Sequence, residues 1–297
     1  MRGHTSHICD ICGGTGRLWT RRQGRELLRC AGCGFAWVPQ GVLRTARGAS
    51  IYEDEEEAFF EARADYYYDA SAREAAVAKV GWVAGFSPRG GRLLDVGANA
   101  GLFVAEAGHL YDAAGIEPSA AAVRMAKASG RSSVEVGSIY DAIGARSGRF
   151  DAITLFDVIE HLADPRLALE QCRRLLMPAG RLYLTTPDCG SLVARLMGTH
   201  WHYLDLDQHV SVFSAANLTR LLADTGFRTI SQRPFGRRYR LSYIERHLGE
   251  LARGNAMLRL AHMASQPLRL FPDHRVSINL RDVIGLVAEM QPPRPGT

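Results

Sequence analysis

Lysine is almost missing from this chain. Among 297 residues only Lys79 and Lys127 are lysine, so nearly all of the 36 basic residues are arginine, and the formal net charge is +5. That bias fits GC-rich coding, and the basic balance reads as a solvated surface in preference to a nucleic-acid grip. Long apolar runs are absent as well, which excludes a helix of the roughly 20 residues needed to cross a bilayer. No secretory core stands at the N-terminus, where Cys9, Asp10 and Cys12 interrupt the sequence, so a cytoplasmic location is expected. The glycine turn that would carry a dinucleotide fingerprint lacks its G-x-G, which counts against an NAD-dependent dehydrogenase. Cysteines number six, and the expected cytoplasmic context disfavours disulfides between them. The length fits one mid-sized catalytic domain with a small module.

What is present begins with four of those cysteines. Cys9-Asp10-Ile11-Cys12 and Cys30-Ala31-Gly32-Cys33 form C-x2-C-x17-C-x2-C. Two thiolates on a tight turn bite one ion, and two such turns complete a tetrahedron. Gly13, Gly14, Gly32 and Gly34 supply the turns, and residues 17–19 and 26–29 read as a hairpin. A zinc ribbon over residues 1–48 is expected, with a structural zinc, since four thiolates close the coordination shell. His4 and His7 are not counted as ligands, Cys172 reads as core, and Cys189 is assigned no chemistry.

The most informative stretch is Leu93-Leu94-Asp95-Val96-Gly97-Ala98-Asn99-Ala100-Gly101. It reads as a buried strand, a glycine turn and the start of a helix capped by Asn99, a unit that presents free N–H groups to a cofactor. Asp95 adds a negative charge that suits a cationic ligand better than a diphosphate. Further segments follow in order: residues 111–117 as a second strand ending in Glu117, 133–139 as a third, 150–156 as a fourth, and 175–184 as a helix exit and fifth strand. D-x-G-x-x-x-G followed by these segments resembles the class I S-adenosylmethionine-dependent methyltransferases over roughly the last two-thirds of the chain. The resemblance implies an α/β fold: a Rossmann-like seven-stranded sheet with helices on both faces and an antiparallel last strand. It also implies that S-adenosylmethionine is bound by Asp95, Gly97, Ala98, Asn99, Gly101, Glu117, Pro118, Ser138, Ile139, Phe156 and Asp157. Of these, Glu117 would hold the ribose hydroxyls, and Ser138 and Ile139 would border adenine. The ribbon is similar to zinc modules on some sugar C-methyltransferases and some ribosomal RNA methyltransferases, where it helps to place substrate.

After the fourth strand comes Asp157-Val158-Ile159-Glu160-His161. A helical turn there would project Asp157, Glu160 and His161 to one side, and His209 lies in a later loop that can fold over the same pocket. This acid-x-x-Glu-His pattern with a distant histidine resembles the metal-dependent small-RNA 2′-O-methyltransferases and the ubiquinone-pathway O-methyltransferases. The first of these families implies a divalent ion, Mg²⁺ or another, held by Asp157, Glu160, His161 and His209, with Asp one methylene shorter than the family's first Glu. Three readings stay open: a metal that activates a hydroxyl, His161 or His209 acting alone as general base, or Glu160 and His161 only capping a helix and fixing the pocket wall.

The remaining segments are assigned more coarsely. Residues 49–90 read as a helical linker and lid, with an acidic helix start at 53–57 and the tyrosines Tyr66, Tyr67 and Tyr68 near the cofactor. The methyltransferase domain is expected over 91–297, with the 187–213 loop and a 235–275 helical insertion as substrate cap. The insertion could also serve a homodimer. Residues 277–280 and 282–289 are expected to hold the last strand. The leading expectation is methyl transfer to a small-molecule hydroxyl in specialised metabolism or glycan tailoring. The alternatives are an RNA methyltransferase, in which ribbon and arginines grip RNA, and a sugar C-methyltransferase.

Overall fold

The computed structural model describes residues 7–39, 70–141, 149–241, 256–270 and 275–292, with Glu245 and Gly249. The acidic segment 53–57, the tyrosines at 66–68 and His4 lie outside the described residues.

The N-terminal strands are β1 (Gly16–Arg22), β2 (Arg25–Cys30) and β3 (Ala36–Trp37). The central strands are β4 (Arg92–Val96), β5 (Asp112–Glu117), β6 (Val134–Val136), β7 (Phe150–Phe156) and β8 (Leu176–Pro187). They are followed by β9 (Ser211–Val212), β10 (Phe227–Pro234), β11 (Arg237–Arg240), β12 (Arg275–Ile278) and β13 (Val283–Met290). The helices are α1 (Ala70–Ala84), α2 (Leu102–Ala107), α3 (Ala120–Ala128), α4 (Pro165–Leu175), α5 (Leu192–Met197), α6 (Ala215–Asp224) and α7 (Ala256–Ser265).

The large sheet has seven strands in the order β10-β13-β8-β7-β4-β5-β6, with β13 antiparallel to both neighbours and β4 to β8 parallel. Parallel strands are covered on both faces, so they read as nearly unbroken apolar runs. In β7, Ala152, Ile153 and Leu155 are all buried. Alternate residues serve opposite faces. Leu182 and Leu184 of β8 pack with Leu218, Leu221 and Leu222 of α6. Tyr183 between them packs with Val83 and Trp82 of α1. Helix starts are locally encoded. Ser119 accepts from the Ala122 N–H, Asp164 from Leu167, and Ser214 closes a capping box with Asn217.

The ribbon does not stand apart. β3 pairs antiparallel with β9, giving a four-stranded sheet β1-β2-β3-β9 that crosses the boundary expected at residue 48. Phe35 packs at a tilt against Phe213, with ring centroids 5.0 Å apart. Cys9, Ile11 and Leu28 belong to the same buried cluster as Leu94 and Leu286 of the large sheet.

Three local expectations are corrected. Asn99 does not cap α2: the N-cap is Gly101 at φ 74° with no side-chain cap, and Asn99 itself turns at φ 50° with its carboxamide oxygen accepting from the Ala100 N–H. Residues 277 and 278 do not belong to the last strand. They pair instead with β11 in a separate two-stranded antiparallel sheet, and Arg281 at φ 56° turns the chain before β13 begins. The 235–275 insertion accordingly opens with a strand, and its described residues also include α7 and the 3-10 turn Gln266–Leu270.

Candidate functional site

The parallel strands end at one edge of the sheet, the place where open α/β sheets bind ligands. The turn after β4 has an unusual backbone: Gly97 at φ 72°, Asn99 at φ 50° and Gly101 at φ 74°. A Cβ at Gly97 would lie 2.6 Å from a Val158 methyl, and one at Gly101 would lie 2.8 Å from Val134. Glycine is thus demanded by both conformation and space. The N–H groups of Gly97 and Ala98 both donate to the Ile116 carbonyl, at 2.8 and 3.1 Å. Glu117, buried at the end of β5, accepts from the Asn99 N–H and the Ser119 N–H, each at 2.9 Å. Its carboxylate is therefore fixed by the backbone of the turn and of the following helix start. Pro118 is exposed beside it. Ser138 accepts from the Tyr140 N–H at 3.3 Å, and Ile139 is buried in one cluster with Ile116.

Asp95 is 4 % exposed, and its Oδ1 accepts from the Thr154 hydroxyl at 2.6 Å. Burial pushes its pKa from 3.8 up to about 7; Thr154 and Lys79 pull it down, and Glu117 pushes it up. A carboxyl raised in this way stabilises the fold fully below pH 3.8 and loses that contribution as pH rises toward about 7. In the protein without cofactor, Asp95→Asn therefore becomes progressively more stable than the parent across that range, by up to about 4 kcal/mol. Thermal melts at pH 5 and pH 8 check this. A gap that fails to widen with pH would contradict it.

Lys79 is the residue that sequence reading passed over. It projects from α1 with its Nζ 3.5 Å from Asp157 Oδ2 and 4.7 Å from the Phe156 ring centroid. Phe156 packs edge-on to Phe103 at 5.0 Å. One signal was available: Lys79 is one of only two lysines in the chain.

Asp157 follows β7 at φ 60°, a left-handed conformation uncommon outside glycine. Its N–H donates to the Thr185 carbonyl at 3.0 Å, and its Oδ1 accepts from the Thr185 hydroxyl at 3.0 Å. This turn aims the carboxylate toward Lys79. Among the described residues, the metal-capable group here is Glu160, His161 and His209, with ligand atoms within 4.8 Å of one another, and Asp157 is not brought into it.

Glu160 and His161 ride on a 3-10 turn, Ile159–His161. Glu160 is buried and accepts from the Thr186 hydroxyl at 3.0 Å. His161 donates through Nδ1 to the Gln208 carbonyl at 2.8 Å, and His209 through Nδ1 to the Tyr203 carbonyl at 2.7 Å. Carbonyls only accept, so both rings carry a proton on Nδ1. The rings meet edge-on with centroids 4.9 Å apart. Burial, then the proximity of His209, lowers the His161 pKa to about 4, against smaller opposing effects from the Gln208 carbonyl and from Asp157 and Asp205. His161 is thus neutral at neutral pH. A histidine with one nitrogen tied to a carbonyl and the other carrying its lone pair is in the state that ligates metals.

In the ribbon, the sulfurs of Cys9, Cys12, Cys30 and Cys33 lie within 4.8 Å of one another. The Cys9–Cys33 pair is at 3.5 Å and the Cys12–Cys30 pair at 3.3 Å. A tetrahedron with Zn–S bonds of about 2.3 Å has edges just under ~4 Å, so the four sulfurs fit a zinc ion. A Cβ at Gly14 would meet the Cys30 sulfur at 3.0 Å, so glycine leaves that sulfur its room. The Gly32 N–H donates to it at 3.3 Å. Cys172 and Cys189 stand apart, and burial pushes both thiols up to about 12.

A parallel α/β sheet with an antiparallel last strand inserted between β8 and β10, a glycine turn after β4 and an acid ending β5 is the fold of S-adenosylmethionine-dependent methyltransferases. The chain belongs to the methyltransferase-domain family, whose description matches residues 60–232. It is 36% identical over 137 residues to a ubiquinone biosynthesis O-methyltransferase of Xanthomonas oryzae pv. oryzae (strain PXO99A), covering 39% of this chain and 56% of that protein. It is 33% identical over 135 residues to the protein of the same name in Xanthomonas campestris pv. campestris (strain B100), with the same coverage. The chain thus spans about half the length of these curated relatives. Among solved structures, a SAM-dependent methyltransferase from Archaeoglobus fulgidus aligns with a TM-score of 0.51 at 15% identity, covering 77% of this chain and 98% of that one. The Burkholderia thailandensis 1,6-didemethyltoxoflavin-N1-methyltransferase, solved with S-adenosylhomocysteine, aligns with a TM-score of 0.50 at 13% identity, covering 93% and 99%. No helix among the described residues is long and apolar enough to cross a membrane.

Proposed function

We propose that this chain transfers the methyl group of S-adenosylmethionine to a hydroxyl of a small-molecule acceptor. The observation that carries the reading is the convergence of Glu160, His161 and His209 at the strand ends that also hold the glycine turn and Glu117. In the proposed site Glu117 receives the ribose hydroxyls, Asp95 faces the cationic end of the cofactor, and Lys79 receives its carboxylate. The sulfonium is a good leaving group, so displacement needs mainly alignment of acceptor oxygen, methyl and sulfur. The remaining barrier is removal of the hydroxyl proton. With its pKa lowered to about 4, His161 is a weak base and a ready ligand. Glu160, His161 and His209 would together hold a divalent cation, which when bound lowers the pKa of a coordinated hydroxyl. The relatives' name, O-methyltransferase, supports a hydroxyl acceptor. The four ribbon cysteines hold a structural zinc in this reading. Specialised metabolism or glycan tailoring is the setting proposed for the acceptor, and residues 187–213 with the insertion shape its pocket.

Two measurements test the reading together. Calorimetric titration of Mg²⁺ or Mn²⁺ into protein loaded with S-adenosylhomocysteine should show saturable binding that His161→Ala abolishes. Incubation with methyl-labelled cofactor and a panel of catechols and sugar diols should label an oxygen. Cofactor binding with no labelling of any hydroxyl, or labelling of carbon instead, overturns the hydroxyl assignment.

A further inference from the structure

The tip of the N-terminal hairpin reaches into the segment that carries His209. Gln23 sits between β1 and β2 at φ 52°. Its Nε2 donates to Asp205 Oδ1 at 2.9 Å, and its Oε1 accepts from the Leu206 N–H at 2.7 Å. Two neighbours reinforce it. Arg25 pairs with Asp207 at 3.1 Å, and Arg22 donates to the Thr199 carbonyl at 3.0 Å.

Asp205 is the hub of the turn that follows. Its backbone carbonyl accepts from the His209 N–H at 2.7 Å and the Gln208 N–H at 3.1 Å. Its second carboxylate oxygen accepts from the Gln208 side chain at 3.0 Å. Gln208 in turn presents the carbonyl that receives His161 Nδ1. Two residues beyond His209, the chain enters β9 and pairs with β3 of the ribbon. Both ends of the 205–212 segment are therefore held by the N-terminal module, at Gln23 on one side and Ala36–Trp37 on the other.

We infer that Gln23 is a positioning residue for the His161–His209 pair, and that the N-terminal module is part of the acceptor side's framework rather than only a platform for substrate. The route is continuous: Gln23 fixes Asp205, Asp205 fixes the Gln208–His209 backbone, and that backbone sets the tautomer and orientation of His161. The cofactor turn at residues 95–101 has no link in this route. The catalytic meaning of the pair rests on the function proposed above; the positioning itself does not.

The test uses the full-length protein with Gln23→Ala and Gln23→Glu, the latter setting a carboxylate against that of Asp205. Three readouts are taken: S-adenosylhomocysteine affinity, hydrogen exchange of the 203–212 amides, and the nitrogen-15 signals that report each histidine's tautomer. Both variants are expected to keep cofactor affinity within about twofold, because residues 95–117 are untouched. Exchange at the His209 amide should rise at least tenfold, and the Nδ1–H form of His161 should give way to a mixture of tautomers. Gln23→Glu should be the more severe, and combining it with Asp205→Asn should restore protection by returning a donor to the contact. Once an acceptor is known, kcat should fall with little change in cofactor KM. Unchanged exchange and unchanged histidine tautomers in both variants would overturn the inference. A protein that shows the expected changes yet methylates no hydroxyl would instead overturn the proposed function and leave the positioning intact.

Discussion

His209→Ala is expected to lower kcat by about 10²- to 10⁴-fold while leaving S-adenosylhomocysteine affinity within about twofold. The ring it removes stands 4.9 Å from His161 and is tied through Nδ1 to the Tyr203 carbonyl. The elements that would hold the cofactor, Asp95, the 97–101 turn and Glu117, make none of those contacts. If the pair binds a divalent ion, the same substitution should abolish the saturable metal titration. Excess Mn²⁺ should then rescue His209→Gln partly and His209→Ala not at all. If the pair works without metal, omitting Mg²⁺ and Mn²⁺ should leave the parent rate unchanged, and the pH–rate profile of the variant should lose its acidic limb. An alanine variant with the parent's kcat would remove His209 from the chemistry in either case.

Cys30→Ser is expected to destabilise the protein by about 4 kcal/mol or more, among the largest effects of any single change. Cys30 is buried, its sulfur receives the Gly32 N–H, and it lies 3.3 Å from the Cys12 sulfur. Residue 30 also ends β2, which aligns β3 and through it β9. With the structural zinc proposed above, loss of this ligand should lower bound zinc from about one ion per chain to none. It should also expose Trp37, shifting its fluorescence to the red. A strong chelator added to the parent should reproduce both changes, and added zinc should reverse them. A serine variant that keeps its melting temperature would show that packing of Phe35 and Trp37 alone holds the module.

Much of this site was readable in the sequence, for physical reasons. Gly97 and Gly101 stand where only a residue without Cβ fits, so their spacing is a direct trace of backbone geometry. The strand 150–156 is buried on both faces, and its apolar run marks its limits. Other features left weaker traces. β9 is two residues long and has no periodicity to detect, so the sheet shared by ribbon and catalytic domain was invisible. Helical spacing suggested that Asp157 would join Glu160 and His161. The left-handed backbone at Asp157 turns it toward Lys79 instead, and no pattern of residue types encodes that torsion. Gln23 is an exposed polar residue in a hairpin turn, and only the folded chain shows what it meets.

The pairing of β3 with β9 also governs the order of events during synthesis. The ribbon leaves the ribosome before the segments it packs against, and contacts such as Arg22 to the Thr199 carbonyl bridge 177 positions of chain. Closing so wide a loop is slow, because its entropy must be lost before any contact rewards it. The nascent module thus waits with one sheet edge unpaired until the residues around His209 are made. Capture of zinc in that interval would hold the hairpin folded and shorten the search. A growth medium depleted of zinc should accordingly lower the yield of soluble protein more than it lowers the stability of the molecules that do complete folding.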